Sequence, residues 1–371
     1  MTESPYLHPI AFASGPQAED GAAIRLGGSL VYASRFALVV REEGKVVERR
    51  LFGVRDAMKV LAELGGVEGR EAEMQWENLQ KSHAPLQLGE RTIRLDQPQI
   101  MGILNVTPDS FSDGGEFLDK PEAGRAHAAA MLEAGAAIID IGGESTRPGA
   151  AATWEGDEIE RTRPAVEYCA AMGAAISIDT RRAGVLEAAL DAGAHMANDV
   201  SAMRYDGRMS GLVASNACPV VLMHAPGTSD DLHEGGEYTD VVSEVFDFLK
   251  HAREKAIVSG IAEDKIVLDP GIGFGKSLSD NLALLNALPL FHALGSPLLV
   301  GASRKRMIGA LSNEEAAEHR LGGSIALLAR ALDAGVHLHR MHDVQDAVQA
   351  RNVWRGMRDA ALTDFSHLPA D

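Results

Sequence analysis

Polar and charged side chains follow eight short apolar runs that begin at about residue 99. A polar residue that stands alone after a strand more often caps a helix than binds a ligand. Caps alone, however, would not supply carboxylates, amides and cations after nearly every run. The residues concerned are Asn105, Glu144, Thr146, Arg147, Asp179, Asn198, His224, Asp269, Ser303, Lys305, Arg340 and His342. As a set they predict one binding pocket, provided that the fold brings the ends of the runs together.

The residue types suggest two subsites within that pocket. Asp179, Asn198 and Asp269 supply acceptors and an amide, which can pair with a flat heterocycle that carries ring N–H and amino donors. A site built from such groups discriminates strongly, because a wrong ligand leaves them unpaired. Arg340 and His342 carry donor nitrogens that suit phosphate oxygens, and they predict an anion subsite.

Three further residues have more than one interpretation. Asn105 offers a hard carbonyl oxygen for Mg²⁺, which usually keeps waters and substrate phosphates as its other ligands. Lys305 could pair with a carbonyl group of the heterocycle or form a Schiff base, and it could equally be an ordinary exposed lysine. Phe274 could stack on an aromatic substrate, and core packing explains it about as well.

The elements that must position these side chains alternate between strand and helix. The eight strands are predicted at residues 100–106, 137–141, 175–178, 195–198, 220–223, 266–268, 298–301 and 336–340. Eight strand–helix units predict an α/β protein with a closed parallel (β/α)8 TIM barrel, in which the carboxyl ends of all strands share one face. The alternative, an open doubly wound sheet, would place its ligand at a single crevice.

The chain divides into two parts by this pattern. Residues 85–371 form the predicted barrel, with a hairpin over 85–97 that could close its amino-terminal mouth and the barrel proper over 98–362. Residues 1–84 form an α+β extension in which we find no chemistry. Its predicted elements are strands at 30–40 and 46–52 and a helix at 54–64. So small a core predicts that the extension packs on the barrel or on a neighbouring chain.

Composition and charge restrict the partners. The 371 residues suffice for a barrel and a smaller unit, and the net charge of −18 argues against nucleic acid and anionic membranes as partners. Cys169 and Cys218 have neither metal-ligand nor redox spacing, and no apolar run is long enough to span a membrane. The amino-terminal residues lack a signal pattern. These features predict small-molecule substrates and a reducing, cytoplasmic location.

Two glycine-rich loops resemble the signature loops of a known family. Residues 105–115, Asn-Val-Thr-Pro-Asp-Ser-Phe-Ser-Asp-Gly-Gly, resemble the first-loop signature of dihydropteroate synthases, and residues 142–150 resemble the second. Segments 177–180, 198–200, 269–276, 303–305 and 340–343 follow in the family's order. Residues 224–227 depart from the usual Met-containing stretch, and the extension has no counterpart in compact members. Residues 86–362 are thus identified as a member of this family.

The resemblance implies an activity, a cofactor and an assembly. The family condenses 6-hydroxymethyl-7,8-dihydropterin diphosphate with p-aminobenzoate, giving 7,8-dihydropteroate and diphosphate in folate synthesis. Diphosphate leaves, and the amine attacks the pterin methylene cation in a site that uses Mg²⁺. No protein nucleophile is needed, so Lys305 is expected to donate a hydrogen bond to the pterin. Family members usually form homodimers.

The resemblance also assigns roles residue by residue. Asp179, Asn198, Asp269 and Lys305 would hold the pterin, Thr146, Arg340 and His342 would meet the diphosphate, and Asn105 would ligate the metal. Arg147, Pro148, Phe274 and Ser303 would border the p-aminobenzoate site, and Asp109 and Phe111 would close over it. The residues expected to act in catalysis are Asp269, Lys305, Arg340, His342 and Asp109.

Two other functions remain as alternatives. A pterin-dependent methyltransferase domain would share the barrel and the heterocycle pocket, but it would not need the segment 145–148, Lys305 or the pair Arg340 and His342. A non-catalytic pterin-binding protein would keep the pocket, although an intact set of motifs argues against lost activity. A Schiff-base aldolase is a more distant third.

Overall fold

The extension forms an antiparallel sheet with two helices. The computed structural model describes residues 3–107, 121–146, 153–227 and 231–362. The elements of the extension are strands β1 (Glu3–Ala13), β2 (Ile24–Arg25), β3 (Tyr32–Glu42) and β4 (Lys45–Gly53), helices α1 (Ala57–Ala62) and α2 (Gly66–Gln80), and 3₁₀ turns at Pro16–Glu19, Leu26–Gly28 and Val54–Asp56. Strand β3 is central, with β1 paired along one edge and β2 and β4 along the other.

The extension contains more regular structure than the two strands and one helix predicted for it. Strand β1 includes Pro5 and Pro9, which lack the N–H that strand pairing uses. Both are tolerated because β1 lies at an edge of the sheet. Helix α2 buries Ala72, Trp76 and Leu79 at helical spacing. It was missed because it begins at a glycine pair, which is typical of a turn.

A hairpin of β5 (Leu86–Leu88) and β6 (Arg91–Ile93) leads into the barrel. The barrel strands are β7 (Gln99–Asn105), β8 (Ile138–Gly142), β9 (Ile176–Asp179), β10 (Met196–Asp199), β11 (Val220–Met223), β12 (Ile266–Asp269), β13 (Leu299–Val300) and β14 (Leu338–Met341). The helices are α3 (Pro121–Glu133), α4 (Glu155–Ala171), α5 (Ala183–Asp191), α6 (Met209–Ser215), α7 (Val241–Val258), α8 (Leu278–Ala287), α9 (Arg306–Leu311), α10 (Leu321–Asp333) and α11 (Val344–Leu362), with 3₁₀ segments at Glu263–Lys265, Leu288–Leu294 and Ala317–His319. Within the described ranges, no helix combines the length and apolarity that a membrane crossing requires.

The eight parallel strands close into a ring. Neighbouring strands pair in chain order from β7 to β12, and β14 pairs with both β13 and β7. A parallel bridge between Leu268 and Leu298 joins β12 to the segment that enters β13. The predicted TIM barrel is therefore confirmed. Because all strands run the same way, their carboxyl ends lie on one face of the ring.

The barrel interior is layered, because side chains of a strand alternate between its two faces. The lowest layer is apolar and packs against four hairpin residues, Leu86, Leu88, Ile93 and Leu95. Its members are Met101, Ile138, Ala175, Met196, Val221, Val267, Leu299 and Leu338. Two residues further along the same strands stand Ile103, Asp140, Ser177, Asn198, Met223, Asp269, Gly301 and Arg340. The hairpin thus seals the amino-terminal mouth, and the polar groups begin one layer above this apolar floor.

The extension packs on the outside of the barrel. The Tyr6 hydroxyl donates a 2.8 Å hydrogen bond to Asp247 on α7, and its ring meets Phe246 edge-on at 5.5 Å. The Asn78 amide donates to the Ala293 carbonyl at 2.9 Å. Buried residues of the extension, Phe36 among them, belong to the same apolar core as the barrel helices. A small sheet that buries its core this way does not need to be stable alone.

Three histidines lie where the extension meets the barrel, with His292 and His337 buried and His83 half-buried. The His337 ring lies 5.0 Å from the His83 ring and 5.4 Å from the His292 ring. His337 Nδ1 accepts from Leu298 N at 2.9 Å, so its Nε2–H donates to the Gly27 carbonyl at 2.9 Å. Burial lowers the pKa of His83 to about 2, of His292 to about 3 and of His337 to about 4. The cluster is therefore neutral in the folded protein.

Acid should weaken the fold through this cluster. Because the folded-state pKa values lie below the ordinary value of 6.5, the stabilisation is complete above pH 6.5 and is lost as the pH falls toward them. Each histidine contributes up to about 1.4 kcal/mol per pH unit in that window. We expect His83→Gln to reduce the slope of unfolding free energy against pH by about that amount between pH 6 and 4. Denaturant titrations at several pH values measure it.

The exposed His251 on α7 supplies the control for this measurement. His251→Gln should leave the pH slope of the unfolding free energy at the wild-type value. Parallel pH profiles for wild type and His83→Gln would contradict the proposed neutral cluster.

Candidate active site

A cavity of about 790 Å³ opens at the carboxyl ends of the barrel strands. Eight of the predicted site residues line it: Asn105, Thr146, Asp179, Phe274, Ser303, Lys305, Arg340 and His342. Asn198 and Asp269 stand in the same barrel layer as Arg340 and are buried, at 4% and 5% exposure. Asp109, Phe111, Arg147 and Pro148 lie outside the described residues. The structure therefore brings residues from distant parts of the chain around one small-molecule-sized space.

Arg340, predicted for the anion subsite, contacts Asp179, which is predicted for the heterocycle subsite. Its Nε donates to Asp140 Oδ2 at 2.6 Å, and its Nη2 donates to Asp179 Oδ2 at 2.7 Å. The Asn198 amide also donates to Asp140 Oδ2, at 3.1 Å. The anion subsite at Arg340 stays a prediction, to which the structure adds two carboxylate partners of this side chain. The side chain starts in the middle layer of the barrel, where its planar fork faces two carboxylates.

Asp140 is a site residue that the sequence analysis missed. It is fully buried on β8, and its Oδ1 has no hydrogen-bond partner among the residues that the structure describes. A buried carboxylate oxygen without a partner is costly. The available signal was a charged residue inside an apolar strand, two positions after the floor residue Ile138. That position places Asp140 inside the barrel and beneath the cavity.

Burial shifts the acids of the site toward neutral pH. Desolvation raises the pKa of Asp179 to about 7, with Arg340 opposing the shift and Asp140 adding to it. Desolvation also raises the pKa of Asp269 to about 6, although Gly271 N–H donates to its Oδ1 at 2.7 Å and Lys305 is nearby. Each carboxyl group can thus exchange a proton near neutrality. Such groups can match either donors or acceptors on a heterocycle.

Lys305 enters the cavity beside Phe274. Its Nζ lies 4.1 Å from the centre of the Phe274 ring, a cation–π contact. Burial lowers the pKa of Lys305 to about 8, and Arg340 lowers it further while Asp269 opposes the shift. Gly273 has a left-handed φ of 85°, and a Cβ there would lie 2.8 Å from Lys305 Cδ. Glycine at this position therefore allows the lysine stem to pass.

A second half-buried lysine, Lys276, fixes the loop over residues 269–276 and was not predicted as a site residue. Its Nζ donates to the carbonyl oxygens of Gly271 at 2.8 Å and Phe274 at 3.0 Å. Burial lowers its pKa to about 7, and Asp269 opposes that shift. The ammonium thus binds the loop's own backbone. Phe274 and Asp269 are held at opposite ends of one braced turn.

The other side of the cavity is formed by Ser303 and His342. Ser303 Oγ lies 3.0 Å from His342 Nδ1, and it accepts from His342 N at 3.2 Å. The neighbouring Arg304 has a left-handed φ of 56°, and its Nε donates to Asp343 at 3.1 Å. This turn directs Arg304 to Asp343 while Ser303 contacts His342. Ser303 and the implied diphosphate ligand His342 therefore form one unit.

Two of the polar positions after strands serve the fold. Glu144 is buried and accepts from Arg181 Nε at 2.9 Å, and it pairs with Arg182 at 2.9 Å. These contacts connect the base of the second loop to the segment after β9. His224 is 4% exposed and packs edge-on against Phe248 at 4.7 Å. Its burial lowers its pKa to about 2, so it is a neutral core residue.

Asn105 is suited to a metal ion that takes only one or two of its ligands from the protein. It ends β7 and lines the cavity, and a Cβ on Gly142 would lie 3.3 Å from its Oδ1. Among the described residues, no cluster of three or more His, Cys, Asp or Glu side chains could hold a metal. Mg²⁺ does not need such a cluster when waters and phosphates complete its octahedron. A single amide oxygen in the cavity is consistent with that ion.

Fold and site together define a TIM-barrel protein with a small-molecule-sized cavity above buried acids. The pterin-binding enzyme family model matches residues 101–342. Dihydropteroate synthase of Escherichia coli K12 is 44% identical over 263 residues, covering 71% of this chain and 92% of that protein. The chain belongs to the dihydropteroate synthase family. The sheet of the extension lies outside the matched segment.

Solved structures give the same result. The Xanthomonas albilineans dihydropteroate synthase with 4-aminobenzoic acid has a TM-score of 0.69 at 43% identity, covering 74% of this chain and 98% of that one. The structure of the same enzyme in complex with 7,8-dihydropteroate has a TM-score of 0.67 at 42% identity, with the same coverages. The predicted family is therefore confirmed.

Replacing Asp179 with a neutral residue should stabilise the fold, and it removes one negative charge from the site. Because its folded pKa is raised from 3.8 to about 7, the penalty of the ionised form is complete above pH 7 and is relieved as the pH falls toward 3.8. We expect Asp179→Asn to unfold with a free energy greater by on the order of 2 kcal/mol at pH 8. The gain should shrink by pH 5, and denaturant titrations at both pH values measure it.

The exposed Asp264 provides the matched control for this substitution. Asp264→Asn should leave the unfolding free energy nearly unchanged at either pH. A destabilised Asp179→Asn protein at pH 8 would show that the contact with Arg340 outweighs burial, contrary to this prediction.

Proposed function

We infer that this chain condenses 6-hydroxymethyl-7,8-dihydropterin diphosphate with p-aminobenzoate to form 7,8-dihydropteroate and diphosphate. The observation that carries this inference is the single cavity that combines buried acids with Lys305, Arg340 and His342. The names of the E. coli and X. albilineans relatives and the 4-aminobenzoic acid and 7,8-dihydropteroate in the solved structures support the same reaction. The chain is then a transferase.

Two acids of the site, Asp179 and Asp269, are proposed to hold the pterin ring. Asp179 and Asp269 are suited to pair with amino and ring N–H groups, and their raised pKa values let them adjust protonation to the ligand. Asn198 adds an amide whose orientation is fixed by its bond to Asp140. Lys305 is proposed to donate a hydrogen bond to the ring carbonyl. A ligand lacking these groups would leave several buried polar atoms unpaired.

The diphosphate is proposed to lie toward Thr146, Arg340 and His342. When the carbon–oxygen bond breaks, its electron pair leaves with the diphosphate and the pterin methylene becomes cationic. Arg340 stays charged at any working pH and can balance the negative charge on the leaving group. Asp269, near the ring, can balance the positive charge. Charge fixed in advance is commonly the largest catalytic contribution, about 3–4 kcal/mol per well-placed donor.

The amine of p-aminobenzoate then attacks the methylene carbon. Its nitrogen lone pair forms the new carbon–nitrogen bond, and a proton leaves the nitrogen for solvent. We propose that Phe274, Ser303, Arg147 and Pro148 border this substrate and that Asp109 and Phe111 cover it. Excluding water at this stage prevents water from capturing the cation in place of the amine. No covalent bond to the protein is involved, so Lys305 acts as a donor.

Magnesium is proposed to bind at Asn105. The amide oxygen at the end of β7 would supply one ligand, and Mg²⁺, when bound, would neutralise part of the diphosphate charge. This proposal is supported by the position of Asn105, whose neutral amide lines the same cavity as Lys305 and Arg340. A homodimer is proposed because members of this family usually form homodimers. A cytoplasmic location is proposed because both cysteines are free and buried. Sedimentation equilibrium would test the dimer.

Condensation should be detected directly. Purified protein with pterin diphosphate, p-aminobenzoate and Mg²⁺ should release diphosphate and form dihydropteroate in equal amounts. Lys305→Gln should lower kcat/KM by about 100-fold or more, because the positive charge is lost and the shorter side chain cannot place its donor at the same point. Diphosphate release that does not depend on p-aminobenzoate would refute the inferred reaction, and a borohydride-trapped adduct at Lys305 would refute its role as a donor only.

The metal proposal has a separate test. Asn105→Ala should weaken Mg²⁺ binding in the presence of inorganic diphosphate by at least about tenfold, measured by isothermal titration calorimetry. Asn105→Asp retains an oxygen ligand and should bind Mg²⁺ at least as well as wild type. Equal Mg²⁺ affinities for wild type and Asn105→Ala would eliminate Asn105 as a ligand.

A further inference from the structure

We propose that His233 positions the p-aminobenzoate subsite by bracing two walls of the cavity, the Phe274 side chain and the backbone at Thr146, an inference that rests on the proposed function. His233 lies in the segment between β11 and α7, outside every motif that predicted the site, and it lines the cavity. It contacts both Phe274 and Thr146.

The hydrogen bonds of His233 fix its tautomer. Its Nδ1 accepts from the backbone N–H of Gly275 at 3.0 Å, so Nδ1 carries no proton. The proton is therefore on Nε2, which donates to the Thr146 carbonyl oxygen at 2.9 Å. One neutral imidazole thus links the backbone after β12 to the backbone of the second loop. Neither wall can move away without breaking a hydrogen bond.

The ring of His233 also supports the Phe274 side chain. The two rings are nearly parallel, with an interplanar angle of 14° and 5.3 Å between their centres. Lys305 Nζ contacts the same Phe274 ring at 4.1 Å. The aromatic wall of the subsite is therefore held by His233 as well as by the loop that carries it. Stacking of this kind limits the rotation of the phenyl ring.

The backbone around His233 is packed tightly enough to hold it there. A Cβ on Gly236 would lie 1.7 Å from the Gly275 carbonyl oxygen, so the two segments touch directly. The Asp231 carboxylate accepts from His233 N at 2.8 Å. On the side of His233 nearer to β11, Arg204 donates to the Gly227 carbonyl at 2.9 Å. The imidazole is thus presented by a fixed support.

The pterin side of the cavity is held by different contacts. Asp140, Asp179 and Arg340 form their own ion-paired group on the barrel strands. Losing His233 should therefore loosen the p-aminobenzoate subsite and leave the pterin subsite intact. This separation gives His233 a kinetic signature that general destabilisation would not produce.

Three substitutions separate the two contributions of His233. His233→Ala removes the hydrogen bonds and the stacking, and His233→Phe keeps an aromatic ring without the bonds. His233→Gln can accept from Gly275 N–H and donate to the Thr146 carbonyl through its amide. The exposed His251 on α7 provides His251→Ala as a control. Steady-state kinetics with each substrate varied in turn, and thermal unfolding, are measured for all variants.

We expect His233→Ala to raise KM for p-aminobenzoate by about 10-fold to 100-fold, the loss typical of two hydrogen bonds and a ring contact. KM for the pterin diphosphate should stay within about twofold and kcat within about threefold. His233→Phe should show an intermediate defect, and His233→Gln should recover most of the affinity. His251→Ala should match wild type.

Other outcomes reject the proposal. If wild type is active and the p-aminobenzoate KM of His233→Ala is unchanged, or both KM values rise together, His233 has no positioning role. If His233→Ala fails to fold, a folded His233→Phe with wild-type KM for p-aminobenzoate gives the same rejection. A wild-type protein that forms no dihydropteroate would instead reject the proposed function, so the two failures are distinguishable.

Discussion

The site depends on a guanidinium buried between two carboxylates inside a closed ring of strands. Desolvation penalises each of these charges, and a lone buried ion would be expelled or neutralised. Arg340 offsets part of that cost for Asp140 and Asp179 together, yet desolvation still raises the pKa of Asp179. Lys305 lies close enough to Asp179 and Asp269 to act on their charges as well. The carboxylates still have lone pairs to offer, so the pocket suits a ligand that brings hydrogen-bond donors.

This charged layer is possible because an apolar layer lies beneath it. Four hairpin residues and eight strand residues fill the lower barrel and keep water from entering by the amino-terminal mouth. Rigid parallel strands then place the polar side chains at fixed heights, with hydrogen bonds on both sides of each strand. The extension adds nothing to the cavity lining but buries apolar surface on the outer helices. The histidine cluster lies where the extension meets the barrel, and it is neutral because burial lowers the pKa of each imidazole.

Much of the fold could be predicted from sequence, because alternation of strands and helices has few stable solutions. The residues at the strand ends, such as Asp179 and Lys305, were found for the same reason. Asp140 was missed because it lies inside a strand, where its direction depends on register. The contact of Arg340 with the acids could not be predicted either, since a long side chain can reach several places. His233 lies in a segment with no periodic pattern, and only tertiary contacts reveal it.

The two halves of the cavity therefore differ in how they are built. The proposed pterin half rests on strand positions whose spacing is fixed by the barrel. The proposed p-aminobenzoate half rests on loops that meet at His233, Thr146 and Phe274, joined by hydrogen bonds and ring contacts. Loops can be altered with less damage to a core than strands can. Substitutions at loop-supporting residues such as His233 can thus change the selectivity for p-aminobenzoate, while the residues on the strands keep their roles in the reaction.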